Sequence, residues 1–149
     1  MSLLIMEKMK KIGYTTGVFD MFHVGHLNLI KRAKLECDYL IVGVSTDELV
    51  LEKKKKAPII PFVERLAIVE HIEFVDEVVP QSNMNKLEAW ENFRFDIMFV
   101  GDDWQGTAAW NAIEKTFSSL PVEIIYLPYT KHTSSTKLRA ILESLHGGE

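Results

Sequence analysis

The run Tyr39-Leu40-Ile41-Val42-Gly43-Val44-Ser45 narrows the fold of this chain more than any other feature. It has the length of a strand, is nearly continuous in apolar residues, and does not alternate with polar ones. A strand with one wet face alternates. A strand buried on both faces does not, and such strands belong to parallel sheets covered by helices. The rest of the chain fits that frame. Residues 11–16 read as a first strand ending at Gly17, and 74–79 as a third. Residues 96–100 read as a fourth closed by Gly101, and 122–127 as a fifth stopped by Pro128. Helical patterns lie between them. Residues 25–36 carry Leu27, Ile30 and Ala33 on one face, and 61–72 carry Phe62, Leu66 and Val69 on another. Residues 85–93 and 107–117 follow, and a last helix runs from Ser134 or Ser135 to Leu145.

Strands alternating with helices across short connections specify an α/β protein. The expected architecture is a Rossmann-like, doubly wound, parallel five-stranded sheet with helices on both faces and right-handed crossovers. One domain over residues 1–149 is the simplest organisation, since there is no repeat, linker or composition shift. Residues 1–10 and 147–149 are expected to fray or to be cloning remnants.

Composition removes several function classes. The chain has 149 residues, 47% of them hydrophobic, enough for a sizeable core. Acidic residues exceed basic ones by 21 to 17, a net charge of −4, which argues against a general nucleic-acid binder. No apolar run approaches the roughly 20 residues of a membrane span. The lone Cys37 has no intrachain partner for a disulfide, and there is no secretory apolar segment, so a cytoplasmic location is expected.

In parallel α/β sheets, ligands bind beyond the carboxyl ends of the strands, where strand order reverses. The loops after the first, fourth and fifth strands therefore matter most. The first reads Gly17-Val18-Phe19-Asp20-Met21-Phe22-His23-Val24-Gly25-His26. Its two histidines are three residues apart at a helix start, a spacing that sends both imidazoles to one side. Free amides and the positive dipole end favour an anion there, and Gly25 lets a ligand approach the backbone. Together they describe a phosphate pocket. The last loop, Tyr129-Thr130-Lys131-His132-Thr133-Ser134-Ser135-Thr136, brings hydroxyls and amides to a second helix start, more than capping alone requires. Lys53-Lys54-Lys55-Lys56 follows the second strand, where it is placed to fold over the same site, and Arg65 sits near the start of its helix, within reach of an anion. Gly101-Asp102-Asp103-Trp104 puts carboxylates at a strand's carboxyl end, suited to ribose, base amino groups or magnesium.

These residues resemble a known family. The segment from Gly17 to His26 is similar to the His-x-Gly-His nucleotidylyltransferases. With Ser45-Thr46-Asp47-Glu48, the lysine run, Val75-Asp76-Glu77-Val78-Val79-Pro80 and Gly101-Asp102-Asp103-Trp104, nearly the whole chain resembles the cytidylyltransferases. The resemblance implies a magnesium-dependent, homodimeric enzyme. It would transfer CMP from CTP to an alcohol phosphate, with glycerol 3-phosphate the leading acceptor, and release pyrophosphate. It implies catalytic roles for His23, His26 and Lys53. It implies nucleotide contacts from Val18, Phe19, His23, His26 and Lys55, with Thr130 and Ser134 kept from the family's last loop; on the reading of the residues themselves, Gly17, Gly25, Asp103, Tyr129, Ser135 and Thr136 are expected to complete that site. Lys53, Arg65 and Lys86 would bind the acceptor, and Asp20 would anchor the metal. One departure is visible: where the family usually has Arg-Thr-Glu-Gly-Ile-Ser-Thr, this chain has Tyr129-Thr130-Lys131-His132-Thr133-Ser134-Ser135. An adenylyltransferase acting on a phosphorylated cofactor precursor, and a non-catalytic nucleotide-binding subunit, are the competing expectations.

Overall fold

A computed structural model describes residues 10–128 and 134–146. Five strands form one sheet: β1 (Ile12–Gly17), β2 (Tyr39–Ser45), β3 (Glu77–Gln81), β4 (Ile97–Gly101) and β5 (Glu123–Leu127). The order across the sheet is β3-β2-β1-β4-β5, and all pairs are parallel. Six helices accompany them: α1 (Val24–Leu35), α2 (Asp47–Lys54), α3 (Phe62–Glu70), α4 (Lys86–Phe93), α5 (Ala108–Phe117) and α6 (Ser135–His146).

The unbroken apolar run of β2 is explained by what covers it. Leu40, Val42 and Val44 enter a core with Ile30 and Ala33 of α1 and Val69 of α3. Ile41 points the other way, into a second core with Tyr14, Phe95, Met98, Trp110 and Phe117. Side chains alternate across the pleat, so one strand feeds two cores. Helices thus cover both faces, and the sheet is doubly wound. Each fully buried aliphatic or aromatic side chain in these layers contributes roughly 1.5–3 kcal/mol.

The third strand and two additional short elements depart from the sequence expectation. The third strand begins at Glu77 rather than Phe74, because Val75 N–H turns back to the Ile72 carbonyl before pairing starts. Phe74 and Val75 still pack on the core, so their apolar character reports burial and not strand pairing. Pro80 falls within β3, where an edge position tolerates its missing N–H. Helix α2 and a short 3-10 turn at Asp102–Trp104 are additional elements.

The site is set by how β1 meets its neighbours. β1 pairs with β2 along its whole length, from Ile12 to Gly17. It pairs with β4 only at Gly13–Ile97 and Tyr14–Met98. Beyond that the Thr15 hydroxyl donates to the Phe99 carbonyl at 3.1 Å, in place of a ladder bond. The sheet is therefore splayed at the carboxyl ends of β1 and β4, the point where strand order reverses and a crevice is expected.

Candidate active site

The loop from β1 to α1 is held in an unusual shape. Phe19 and Met21 have φ of 54° and 49°, in the left-handed region that non-glycine residues seldom occupy. Such conformations persist only where the surroundings impose them. Here the surroundings are identifiable. The Asp20 carboxylate accepts the backbone N–H groups of Ile59 at 2.9 Å and Ile60 at 2.8 Å. Arg65 donates to the Val18 carbonyl on the other side of Phe19. Gly17 allows the turn to close, because a Cβ there would lie 2.9 Å from the Phe19 ring.

The loop ends in a reciprocal cap. His23 is the N-cap of α1, and its Nδ1 accepts from the Gly25 N–H at 3.0 Å. His26 Nδ1 accepts in turn from the His23 N–H at 3.2 Å. An accepting Nδ1 leaves the ring proton on Nε2, so this network makes each imidazole a donor through its far nitrogen. The two rings stack with centroids 3.9 Å apart, and His26 also packs against Phe19 and Phe22. Burial lowers the pKa of His23. Burial, with the charge of His23 acting in the same direction, brings His26 down to about 4, Asp20 opposing. Both rings are therefore neutral donors at pH 7. His23 Nε2 is buried and has no hydrogen-bond partner among the described residues, leaving a donor for a ligand oxygen to satisfy. The first turn of α1 carries no acidic side chain, so nothing on the helix offsets its positive end.

These groups open on a cavity of about 530 Å³, within the usual range of small-molecule and cofactor sites. Of the residues singled out in the sequence, the structure brings Gly17, Val18, Phe19, Asp20, His23, Gly25, His26, Asp103, Ser134, Ser135 and Thr136 together on its wall. Asp103 belongs to the 3-10 turn after β4, and Gly101 gives it room, since a Cβ there would lie 2.7 Å from Asp103 Oδ1. Ser134 caps α6 by accepting from the Lys137 N–H at 3.0 Å. Ser135 donates through its hydroxyl to the Asp20 carbonyl, joining α6 to the histidine loop. Tyr129 and Thr130 lie outside the described residues.

Four expectations are corrected. The lysines on the wall are Lys54 and Lys56, not Lys53 and Lys55. Lys54 lies one helical turn after Val50, which also lines the cavity, so α2 turns that face inward. Lys53 is not among the residues that line the cavity, and Lys55 closes the helix in a left-handed conformation, φ 60°. Arg65 is no free cation for an acceptor. It is 1% exposed, and its guanidinium donates to the carbonyls of Ile60, Val18 and Ser45 and to Asp47 Oδ1. Lys86 stands behind the wall, buried, with Nζ 2.8 Å from the hydroxyl of Thr16, which does line the cavity. Burial lowers its pKa to about 8. Asp20 does not suit a metal, because both its oxygens are taken by backbone amides. Among the described residues, no group of three or more His, Cys, Asp or Glu side chains is gathered to hold a metal ion.

Further residues line the cavity. Arg139, on α6, donates through Nη2 to the Ala57 carbonyl at 2.8 Å and approaches Asp20 Oδ2 at 3.4 Å. Trp104, Trp110, Thr15 and Thr16 are further lining residues. The signal for Arg139 is its spacing: it follows Ser135 by four residues and so shares its face.

Comparison with known proteins bears on this geometry. A family model described as cytidylyltransferase-like matches residues 14–141. A glycerol-3-phosphate cytidylyltransferase of Bacillus spizizenii is 41% identical over 138 residues, covering 92% of this chain and all of that protein. An FAD synthase of Thermococcus sibiricus is 33% identical over 142 residues, covering 94% of this chain and 96% of that one. Among solved structures, a lipopolysaccharide core biosynthesis protein from Thermoplasma volcanium superposes with a TM-score of 0.68 at 24% identity, over 83% of this chain and 99% of that one. That likeness speaks to the fold alone.

Proposed function

The chain belongs to the cytidylyltransferase-like family, and from that membership we propose that it transfers CMP from CTP to an alcohol phosphate, glycerol 3-phosphate being the leading acceptor. The observation that carries the reading is the stacked pair His23 and His26, two neutral Nε2–H donors at an open helix N-terminus inside the crevice between β1 and β4.

The reaction asks little of a general base. A phosphomonoester has a second pKa of about 6 and is mostly a dianion at neutral pH. Its oxygen attacks the α-phosphorus in line. The new bond joins acceptor oxygen to α-phosphorus, the bond from α-phosphorus to the bridging oxygen breaks, and pyrophosphate leaves. Orientation and charge neutralisation are what remain to be supplied. His23 and His26 donate to phosphate oxygens whose charge grows in the transition state. Being neutral, they release no proton and need no reprotonation. The α1 amides add fixed dipoles. Lys54 and Lys56 reduce the repulsion between two anionic substrates, and Asp103 is placed to accept from a base amino group.

Magnesium supplies charge neutralisation on phosphate oxygens where it is bound. The residues present do not form a cage for it, since Asp20 is spent on two amides. In this proposal the ion arrives with the triphosphate, and no step is assigned to a protein-held metal. A homodimer working in the cytoplasm completes the reading. Among the described residues, no helix is long and apolar enough to cross a membrane.

A panel of CTP, UTP, ATP and GTP against glycerol 3-phosphate, other alcohol phosphates and FMN, read by pyrophosphate release, tests the proposal. CTP with an alcohol phosphate is the expected active pair. Release with ATP and FMN alone would replace it by the reaction named for the FAD synthase relative.

A further inference from the structure

The last turns of α6 carry a carboxylate whose partner belongs to the cavity. Residues 140–146 are exposed, and Ile141, Leu142 and Leu145 leave their apolar side chains in solvent. Among the described residues, the polar side-chain contact of this stretch with the rest of the molecule runs from Glu143 Oε1 to Lys56 Nζ, at 3.4 Å. The position of Glu143 on its own helix is unfavourable. It lies in the last turn of α6, where the negative end of the helix dipole disfavours a carboxylate. Arg139, one turn earlier, is drawn to the Ala57 carbonyl instead. What the Glu143 carboxylate holds is the ammonium of Lys56.

Lys56 is a lining residue of the cavity, and Glu143 is not. The ammonium that faces incoming ligands is therefore already shared with a carboxylate of the protein. On the reading above, both substrates bring phosphate groups into this crevice. A phosphate oxygen that reaches Lys56 competes with Glu143 for it, and Glu143 sets a second negative charge beside the ligand. The two side chains are 63% and 56% exposed, so the pair is weak and a multiply charged ligand displaces it. Displacement still subtracts the strength of the pair from the binding of the ligand. The subtraction is the same for bound substrate and for transition state, so it enters KM and leaves kcat alone.

We propose that Glu143 is a positioning residue that lowers the affinity of the site for phosphate-bearing ligands by competing with them for Lys56. This rests on the reading of the cavity as a site for such ligands, and the experiment separates the two. Trp104 and Trp110 line the cavity, so their fluorescence reports binding directly. CTP, glycerol 3-phosphate and cytidine are titrated into the wild type, Glu143→Gln, Lys56→Gln and the double variant. Whichever phosphate ligand binds more weakly to Lys56→Gln is expected to bind about 1.5- to fivefold more tightly to Glu143→Gln, with cytidine unchanged. The gain should vanish in the double variant, and also at about 1 M salt, where charges are screened beyond roughly 3 Å. In pyrophosphate release the same gain should appear as a lower KM at unchanged kcat. Three results would each overturn the proposal: no gain in Glu143→Gln, a gain that persists without Lys56, or unaltered binding in Lys56→Gln. Weaker binding or a lower kcat in Glu143→Gln would make Glu143 a support for α6 and overturn it too. A wild-type protein that binds neither phosphate ligand would overturn the reading of the cavity, and the proposal with it.

Discussion

Arg65 Nη1 lies 2.6 Å from the carbonyl oxygen of Val18 and ties α3 to the loop that carries His23. The same guanidinium holds Ser45 at the end of β2 and Ile60 before α3. Asp47 supplies the opposite charge at 2.8 Å. A cation in the interior thus acts as a joint for three chain segments.

Removing it should cost stability more than any surface arginine does. Each buried carbonyl left without a donor costs about 1–3 kcal/mol, and three depend on Arg65. Arg65→Ala is expected to lose more than about 3 kcal/mol in urea unfolding. Arg65→Lys should lose nearly as much, because one ammonium does not reproduce the fork. A near-wild-type midpoint in either variant would show that the joint is dispensable.

His23 plays two roles that a single substitution separates. Its Nδ1 caps α1, and its Nε2 is the unpartnered donor. Asparagine is a good N-cap but does not carry a donor as far as Nε2. His23→Asn is expected to keep its melting temperature within a few degrees while turnover falls by about 10²–10³, the usual effect of losing one preorganised donor. His23→Ala should lose turnover and about 1 kcal/mol of helix capping as well. Pyrophosphate release measured beside thermal melts decides the matter. Turnover that survives in His23→Asn would remove the donor role.

The strands of this fold and its longer helices are legible because their signals are local. Burial on both faces erases alternation in β2, and helical spacing marks α1 and α3. The histidine loop is legible for the same reason, since cap, glycine and donors lie within a few residues. Helix α2 is harder to see because its eight residues bury only Leu49 and Val50. Thr46 followed by Asp47 and Glu48 is the capping signal that marks it. The facing of the lysines is not legible, since it depends on helix rotation and on the left-handed Lys55. Nor is the fate of Arg65. Nothing near position 65 reveals that the carbonyls of Val18 and Ser45, 47 and 20 residues away, converge on it.

His26 makes the folded state sensitive to acid. Its pKa is about 4 in the folded protein against 6.5 for a free imidazole. Since the folded value is the lower one, the unfolded chain binds the proton more readily between those limits. The stability due to the neutral ring is full above pH 6.5 and is lost as pH falls toward 4. The loss is on the order of 3 kcal/mol. His26→Gln, which has no such titration, should show a weaker decline in stability between pH 6.5 and 4. Parallel unfolding curves for the two proteins across that range would rule out His26 as the source.

Lys86 titrates on the other side of neutrality. Burial lowers it to about 8, from 10.5 in the unfolded chain, and its ammonium has one hydrogen bond, to Thr16. At pH 7 it is charged in both states, and folding bears the cost of burying that charge. Between pH 8 and 10.5 the folded state releases its proton first, so stability should rise with pH across that interval. Lys86→Met keeps the length of the side chain without the charge. Replacing a buried ion by an apolar residue of similar volume is often neutral or stabilising by about 1–4 kcal/mol. Losing the bond to Thr16 takes back roughly 1 kcal/mol of that. Lys86→Met is therefore expected to match wild type at pH 7 or exceed it by up to about 3 kcal/mol, with any gain gone near pH 10.5. Thermal melts of both proteins from pH 7 to 10.5 provide the measurement. A variant less stable than wild type at pH 7 would mean that the Thr16 contact outweighs the cost of burying the charge.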